Sequence, residues 1–494
     1  MKPSFLDKII LQVSPEAGYK RLQFKAAADI VARGYDAAKS SPTSDWISAQ
    51  KTSANAEIRQ GREKLQLKSR DLARNNAWAI KALNVIVEET VGAGIVPNIK
   101  GRNKTQEKKI KALWKQVAES SLCDAAGVFN FYGLQGLALL STAESGEVIA
   151  LKQPTKVAPQ LKMLEADFIV SNLDRPENKI QGIEVDANGK PVKFSLYKQH
   201  PGDYGAVTNE WVDRSADTLI HMYRQTRPGQ LRGVPWSHAV IETLKDFDDY
   251  EYSTLIRQKV AACFGGFIET NGSDALLSAA DQKARREAEM KLTPGVIRYL
   301  NPGEKFQNSN PPAPDGYDPY TRNQLRRIAA GYLISYEALT GDYSQVNFSS
   351  GRMGHMQFRR SIESWRWKML IPMFCEPYFK FFLEWAGSQG ADIQGITVEW
   401  VPPAYVMIDP TKEIAADKEA VRAGFKSRAQ VIRENGNEPE SVFEEIKTER
   451  DEAKAAGVTF DVDYAQPPPL AAPQAQGTQD SEADQTDKAE PSKT

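Results

Sequence analysis

The residues with the best claim to chemistry are acidic. Glu165 and Asp167 stand two apart, as do Glu184 and Asp186. On β-strands each pair projects to one face, because successive side chains alternate. Two such pairs could hold magnesium and support phosphodiester cleavage. Against this, Asp186 falls in the turn-like run Asp186-Ala187-Asn188-Gly189, and alternating carboxylates are common on one-sided sheets. The four histidines (His200, His221, His238, His355) show no HExxH spacing and the three cysteines no CxxC, so no zinc site is expected. His221, beside Met222 and Tyr223, reads as a packed, hydrogen-bonded residue rather than a base or ligand. Neither a GxxxxGKS/T phosphate loop nor a GxSxG elbow occurs. A metal-dependent nuclease using Glu165, Asp167 and Glu184 therefore stands as the enzymatic alternative. No cofactor is expected.

The chain that must position these residues has 494 of them, too many for one ordinary core, so two or more domains are expected. Hydrophobic residues at 41% and charged residues at 26% fit a soluble globular protein. With 63 basic and 64 acidic residues there is no basic surplus, so any contact with nucleic acid should be local or deliberately weak. The scattered cysteines fit a reducing compartment. No apolar run reaches the length of a membrane span, and neither a signal peptide nor a membrane partner is expected.

Residues 1 to about 55 read as a loosely held arm. The spacing then predicts one helical run over 54–90, basic at first (Arg59, Arg62, Lys64, Lys68, Arg70, Arg74), apolar later, and stopped by Gly92-Ala93-Gly94. Its basic face could meet phosphates, or be solvated, or pair with Glu57, Glu63 and Asp71. Helices are predicted over 104–120 and 130–142. The period changes to two between 147 and 223, with strands expected at 148–151, 168–170, 180–185, 191–197 and 218–223.

Ser237 is expected to cap a helix reaching about residue 263, roughly 40 Å long. Val240, Ile241, Leu244, Phe247, Leu255, Ile256 and Val260 form its apolar side, and Asp246, Asp248, Asp249 and Glu251 mark the other. A small module follows, with strands at 267–269 and 295–300 around a charged helix at 281–290. Next comes a helix carrying Leu325, Ile328 and Leu333 among Arg322, Arg326 and Arg327. The loop at 339–350 holds one aspartate, no lysine or arginine, and many hydroxyl and amide groups. Such a loop can touch a charged polymer without gripping it. A long helix then climbs through Phe358, Ile362, Trp365, Met369, Phe374, Phe381 and Trp385 as a buried stripe, with Pro372 and Pro377 pushing it towards a kink. After a strand at 396–401, helices are predicted over 410–423, 427–434 and 439–456. The tail 464–494 has almost nothing to bury and reads as disordered.

The run Arg70-Asp71-Leu72-Ala73-Arg74-Asn75-Asn76-Ala77-Trp78 resembles the N-terminal signature of lambda-type phage portal proteins. So do Glu144-Ser145-Gly146-Glu147, Leu164-Glu165-Ala166-Asp167 and His200-Pro201-Gly202-Asp203. Arg227-Pro228-Gly229-Gln230-Leu231-Arg232-Gly233-Val234-Pro235-Trp236 is similar to that family as well, and so is the whole loop from Leu339 to Ser350. The likeness keeps the same order from about residue 56 to 455. Phe348 stands where a tyrosine is usual, and Gly351 and Gly354 weaken the first turn of the long helix, so the loop is expected to extend further here.

The resemblance implies an α+β, multi-domain portal fold assembled as a ring, usually of twelve copies, at one vertex of the virion's head. Double-stranded DNA would pass through it in packaging and ejection. The large terminase, the head-tail adaptor, and the major capsid and scaffold proteins would be its partners, with assembly in the host cytoplasm. The chain would not itself be an enzyme. After the arm (1–55), the wing would span 56–236, a stem helix 237–264, an α/β clip 265–312 and a second stem helix 313–336. The channel loop would follow at 337–352, a long kinked helix with a wing strand at 353–408, crown-like helices at 409–463 and the tail at 464–494. Asp342, Tyr343, Ser344, Gln345, Val346 and Asn347 would line the DNA channel. Asp246, Asp248, Asp249 and Glu251 would either repel phosphate in the channel or pair with Arg322 and Arg326 of a neighbour. Glu269, Arg285, Arg286 and Glu287 would serve docking at the clip.

Overall fold

Ser53 opens the first helix by accepting the Ala56 N–H on its hydroxyl, and α1 spans Ala54–Asn75. The computed structural model describes residues 52–174, 178–203, 210–263, 267–270, 304–307, 316–405 and 409–458. They fall into two units, 1–403 and 404–494. The single helical run expected over 54–90 breaks at Asn76, which is extended (φ −113°) and caps α2 (Ala77–Thr90) with its side chain. Asparagine's amide competes locally for backbone groups, which makes it a better cap than a helix interior. The two helices differ in what they bury: α1 turns Arg62, Gln66 and Ser69 inward, α2 Ala79, Leu83, Val85 and Ile86.

Strand β1 (Val96–Lys100) leads to α3 (Lys104–Ala118) and α4 (Phe131–Ser145), capped by Asn103 and Asn130. Strand β2 (Glu147–Pro154) then runs antiparallel to β3 (Pro159–Glu165). The meander β4 (Lys179–Ile180), β5 (Ile183–Val185), β6 (Pro191–Tyr197) and β7 (Trp211–Ser215) forms a separate four-stranded sheet. Strand β8 (Leu219–Tyr223) returns to the other edge of β2. Ile149, Leu164, Ile169, Ile183, Phe194, Leu196, Leu219 and Leu231, drawn from both sheets and their links, close one core. Two expected strands are corrected. Residues 166–168 form a 3-10 turn, leaving Ile169 only an isolated bridge to Leu196. The strand expected at 180–185 is cut by a tight turn in which Gln181 (φ 47°) and Gly182 (φ 80°) are both left-handed.

The expected cap Ser237 instead lies in a 3-10 turn, Trp236–Ala239, with its hydroxyl 2.7 Å from that of Ser69. Helix α5 is Ile241–Cys263. It buries Ile241, Leu244 and Phe247, as Val240 is buried just before it, but Leu255 and Ile256 of the expected apolar side are exposed. Strands β9 (Phe267–Thr270) and β10 (Glu304–Gln307) pair antiparallel. The helix and strand expected at 281–290 and 295–300 lie outside the described residues.

Helix α6 is Tyr317–Tyr332. Leu333 is its left-handed C-cap (φ 62°) and is exposed, so it does not extend the buried side of Leu325 and Ile328. The short α7 (Tyr336–Thr340) and α8 (Phe348–Trp365) flank the polar loop, which is therefore 341–347 and shorter than expected. Gly351 and Gly354 are inside α8; a capping box between Asn347 and Ser350 overrides their weak propensity. Helix α8 continues through a π-helical stretch, Arg366–Cys375, into α9 (Glu376–Ser388). The wider turn accommodates Pro372, and Pro377 sits where the π-helical stretch gives way to α9. The aromatic residues are core: Phe131 stacks on Tyr378 at 4.4 Å, and Trp114 meets Phe382 edge-on at 5.0 Å. Strand β11 (Thr397–Val401) closes this unit by pairing with β1.

The second unit contains α10 (Pro410–Arg422), α11 (Arg428–Glu434) and α12 (Pro439–Ala456), as the sequence predicts. Lys426 joins the first two through Asp417 (3.1 Å) and Glu434 (2.6 Å).

Candidate functional site

Among the described residues, Glu147 is a fully buried carboxylate with partners from three separate parts of the chain. It follows Gly146, whose left-handed backbone (φ 92°) ends α4 and turns the chain into β2. Arg232 Nε donates to both of its oxygens at 2.9 Å, and Arg62 Nη1 donates at 3.2 Å. His221 Nε2, at 3.0 Å, and the Gly233 N–H, at 3.2 Å, complete the set. Burial alone would raise the carboxyl's pKa; Arg232, the His221 hydrogen bond and Arg62 outweigh it and hold it well below the usual range. Burial and neighbouring Arg232 pull Arg62 down to about 10. The backbones meet closely enough to require glycine: a Cβ on Gly233 would stand 1.9 Å from the Gly146 oxygen. The 144–147 and 227–236 motifs are thus one structural joint, with α1 fastened into it. The sequence signal for it was a glutamate starting an apolar strand and an arginine between leucine and glycine.

The basic face of α1 does pair with carboxylates, but mostly distant ones. Arg59 reaches Asp174 at 2.6 Å and Lys68 reaches Glu242. Only the weak Arg74–Asp71 contact at 3.8 Å matches an expected partner. Glu57 belongs to Arg227, at 2.7 Å.

Glu165, Asp167 and His200 are brought together, with potential ligand atoms all within 4.8 Å of one another. Glu184 is not among them: it lies on β5 of the other sheet, 3.5 Å from Lys193. Asp186 serves the hairpin turn, accepting the Asn188 and Lys190 N–H groups at 2.9 Å. The paired carboxylates therefore do not converge. Arg70 already occupies the cluster, 3.1 Å from Glu165 and hydrogen-bonded to Asp167. His200 accepts the Gly202 N–H on Nδ1, which in the neutral ring leaves the proton on Nε2, the nitrogen facing Glu165. A cation would have to displace a guanidinium and reverse that tautomer. The cluster is built as an ion-pair network.

The polar loop is fastened at both ends. Asp342 Oδ2 accepts the Tyr336 hydroxyl at 3.0 Å and Oδ1 accepts the Ser344 N–H at 3.0 Å. Hydrogen bonds from Ser344 and Tyr336 hold the Asp342 carboxyl below its ordinary range, and burial followed by Asp342 pushes Tyr336 up. At the far end, Asn347 Oδ1 accepts the Ser350 N–H at 2.8 Å. Val346 packs against Gly351, where a Cβ would stand 2.7 Å from its methyl group. Tyr343, Ser344 and Gln345 are exposed, Tyr343 at 64%. Behind the loop, Arg322, Arg326, Tyr336, Asp342 and Gln345 line a cleft of about 200 Å³.

Of the acidic residues on α5, Asp246, Asp248 and Asp249 are exposed, with Asp249 held by Lys245 at 2.8 Å. Glu251 is half-buried; burial and Asp248 raise its pKa against a hydrogen bond with Trp78. Within the chain Arg322 pairs with Asp318 at 2.9 Å, one turn away, and Arg326 lies over the Tyr336 ring. Glu269 is opposite Lys305 in the β9–β10 register. Arg285, Arg286 and Glu287 lie outside the described residues.

A family profile described as phage portal protein, lambda family, matches residues 39–366. The chain is 26% identical over 473 residues to a probable portal protein of Halomonas phage phiHAP-1, covering 87% of each chain. It is 22% identical to portal protein B of Escherichia phage lambda, covering 78% of this chain and 83% of that one. Among solved structures, a chain of the native gene transfer agent virion superposes with a TM-score of 0.48 at 15% identity, covering 77% of this chain and 94% of that one.

Proposed function

The chain belongs to the lambda family of phage portal proteins, and on that premise we propose that it forms a ring of twelve copies at one vertex of a tailed-phage head. Its role is structural. The ring gives double-stranded DNA a passage during packaging and ejection, and offers docking first to the large terminase and then to head-tail adaptors. Assembly proceeds in the host cytoplasm with capsid and scaffold proteins, and the ring remains in the virion. Hydrolysis that drives DNA belongs to the terminase; this chain supplies passage and docking.

The match over residues 39–366 carries this reading, since it spans most of the first unit, including the polar loop. In this scheme α5 and α6 form the stem, with the segment between them as the clip. The loop 341–347 lines the channel, the two sheets with α8–α9 build the wing, and α10–α12 the crown. A lining of hydroxyls and amides suits passage, because lysine or arginine contacts to phosphate would act as brakes, each released only with counterion exchange. Deleting residues 342–347 should leave ring assembly intact, by native mass spectrometry and negative-stain imaging, and impair DNA packaging or retention. Heads that fill normally with that deletion would refute the loop assignment. Heads that fill with the chain absent altogether would refute the function.

A further inference from the structure

The proposed channel loop divides into side chains anchored at its two ends and exposed side chains between them. Asp342 uses one oxygen for the Tyr336 hydroxyl and the other for the Ser344 N–H, and its own N–H goes to Thr340 Oγ1 at 3.1 Å. Asn347 exchanges bonds with Ser350 in the capping box, and Val346 fills the space that Gly351 leaves. Arg326 lies 5.5 Å over the Tyr336 ring, so the anchor at the near end is itself braced from α6. Between these anchors, Tyr343, Ser344 and Gln345 are exposed, although Ser344 also hydrogen-bonds Asp342 and Gln345 also borders the cleft behind the loop.

We infer that Tyr336 and Asp342 are positioning residues that set the reach of a three-residue tip, Tyr343-Ser344-Gln345, and that this tip alone meets DNA. The inference rests on the channel reading and narrows it. Asp342 is the one acidic residue in the loop, and its charge would be the obvious phosphate-repelling group. Its geometry instead engages both oxygens within the turn.

The test compares Tyr336→Phe, Asp342→Asn and the double variant in the full chain, assembled into heads. Tyr336→Phe keeps the charge and removes the donor. Asp342→Asn removes the charge and, with a single carbonyl oxygen, can no longer serve both donors. Amide exchange across 341–347 and the fraction of heads retaining DNA are measured, with thermal melting as the folding control. If the pair only positions the tip, each variant speeds exchange by about two- to tenfold, the span one net hydrogen bond supports. Each also lowers DNA retention, and the double variant is no worse than either single one, since all three break the same link. If Asp342 acts on DNA by its charge, Asp342→Asn lowers retention while Tyr336→Phe matches wild type in both measurements, which overturns the inference. Unchanged exchange in all three overturns it as well. A further variant lacking residues 343–345 separates the two levels: normal retention there sinks the channel reading itself, whereas the exchange data still judge the anchor.

Discussion

Replacing Glu147 with glutamine should be among the most damaging single changes available to this chain. The carboxylate accepts from Arg232, Arg62, His221 and the Gly233 N–H, all in the interior. Glutamine offers one oxygen and turns an NH2 group towards these donors. Arg62 and Arg232, only 3% and 0% exposed, are then left side by side without a counter-charge. Removing one partner of a buried ion pair typically costs about 3–5 kcal/mol. Urea unfolding should show this as a lower midpoint with the slope preserved. The pH dependence has a definite sign. A carboxyl with a depressed folded pKa contributes its stability above the unfolded value of about 4.3, and loses it as pH falls towards the folded value. Wild type should therefore weaken below about pH 4, and the gap between it and Glu147→Gln should close there. A companion variant with Glu147, Arg62 and Arg232 all replaced by apolar residues should lose less than Glu147→Gln, because no charge remains stranded. A Glu147→Gln loss under about 1 kcal/mol at pH 7 would refute the reasoning.

Other expectations are more local. Gly233→Ala should prevent folding or cost more than about 3 kcal/mol, because its Cβ would collide with the Gly146 backbone; thermal melting decides. Gly354→Ala, in open space within α8, should stabilise by about 0.5–1 kcal/mol in the same assay. Asp167→Ala should lower stability by about 1 kcal/mol or less, since Arg70 and Asp167 are both partly exposed. It should also leave incubated DNA as intact as wild type does with magnesium present, and cleavage abolished by this substitution would reopen the nuclease reading.

Period and punctuation made most of the elements legible. The aromatic residues from Trp365 to Trp385 recur at helical steps and, Trp367 apart, are buried. The hairpin at 186–189 and the three helices of the second unit are where turn residues and caps put them. What escaped were features set by partners distant in sequence. Asn76 splits a helix whose periodicity runs straight through it, and Gln181 adopts a left-handed backbone that no local signal requires. Its conformation is explained by contacts: its side chain donates to Asn55 O at 2.9 Å and its carbonyl accepts from Arg232 at 3.0 Å. Likewise, Arg62 looks like any surface arginine of a basic helix until Glu147, 85 residues away, is placed beside it. The paired carboxylates failed for the same reason in reverse. Asp167 falls in a 3-10 turn and Asp186 in a hairpin turn, so neither pair shares a strand face, and Glu165 and Glu184 belong to different sheets.

The charge balance of the chain takes on meaning at this level. A near-zero net charge is compatible with a DNA-gripping surface if cations and anions are segregated. Here one basic stretch, α1, spends Arg59, Arg62, Lys68 and Arg70 on carboxylates 85 to 174 residues away. Those arginines and lysine hold the first unit together. The polar loop, by contrast, carries no cation, and its one anion is tied to Tyr336. It is mounted on α8, whose far end runs through the π-helical stretch into the aromatic core around Phe374 and Tyr378. In the proposed channel, a polyanion sliding past such a loop would release no counterions. Strong electrostatics inside the subunit and weak electrostatics at its loop are one distribution of charge, and it suits the proposed passage of a polyanion.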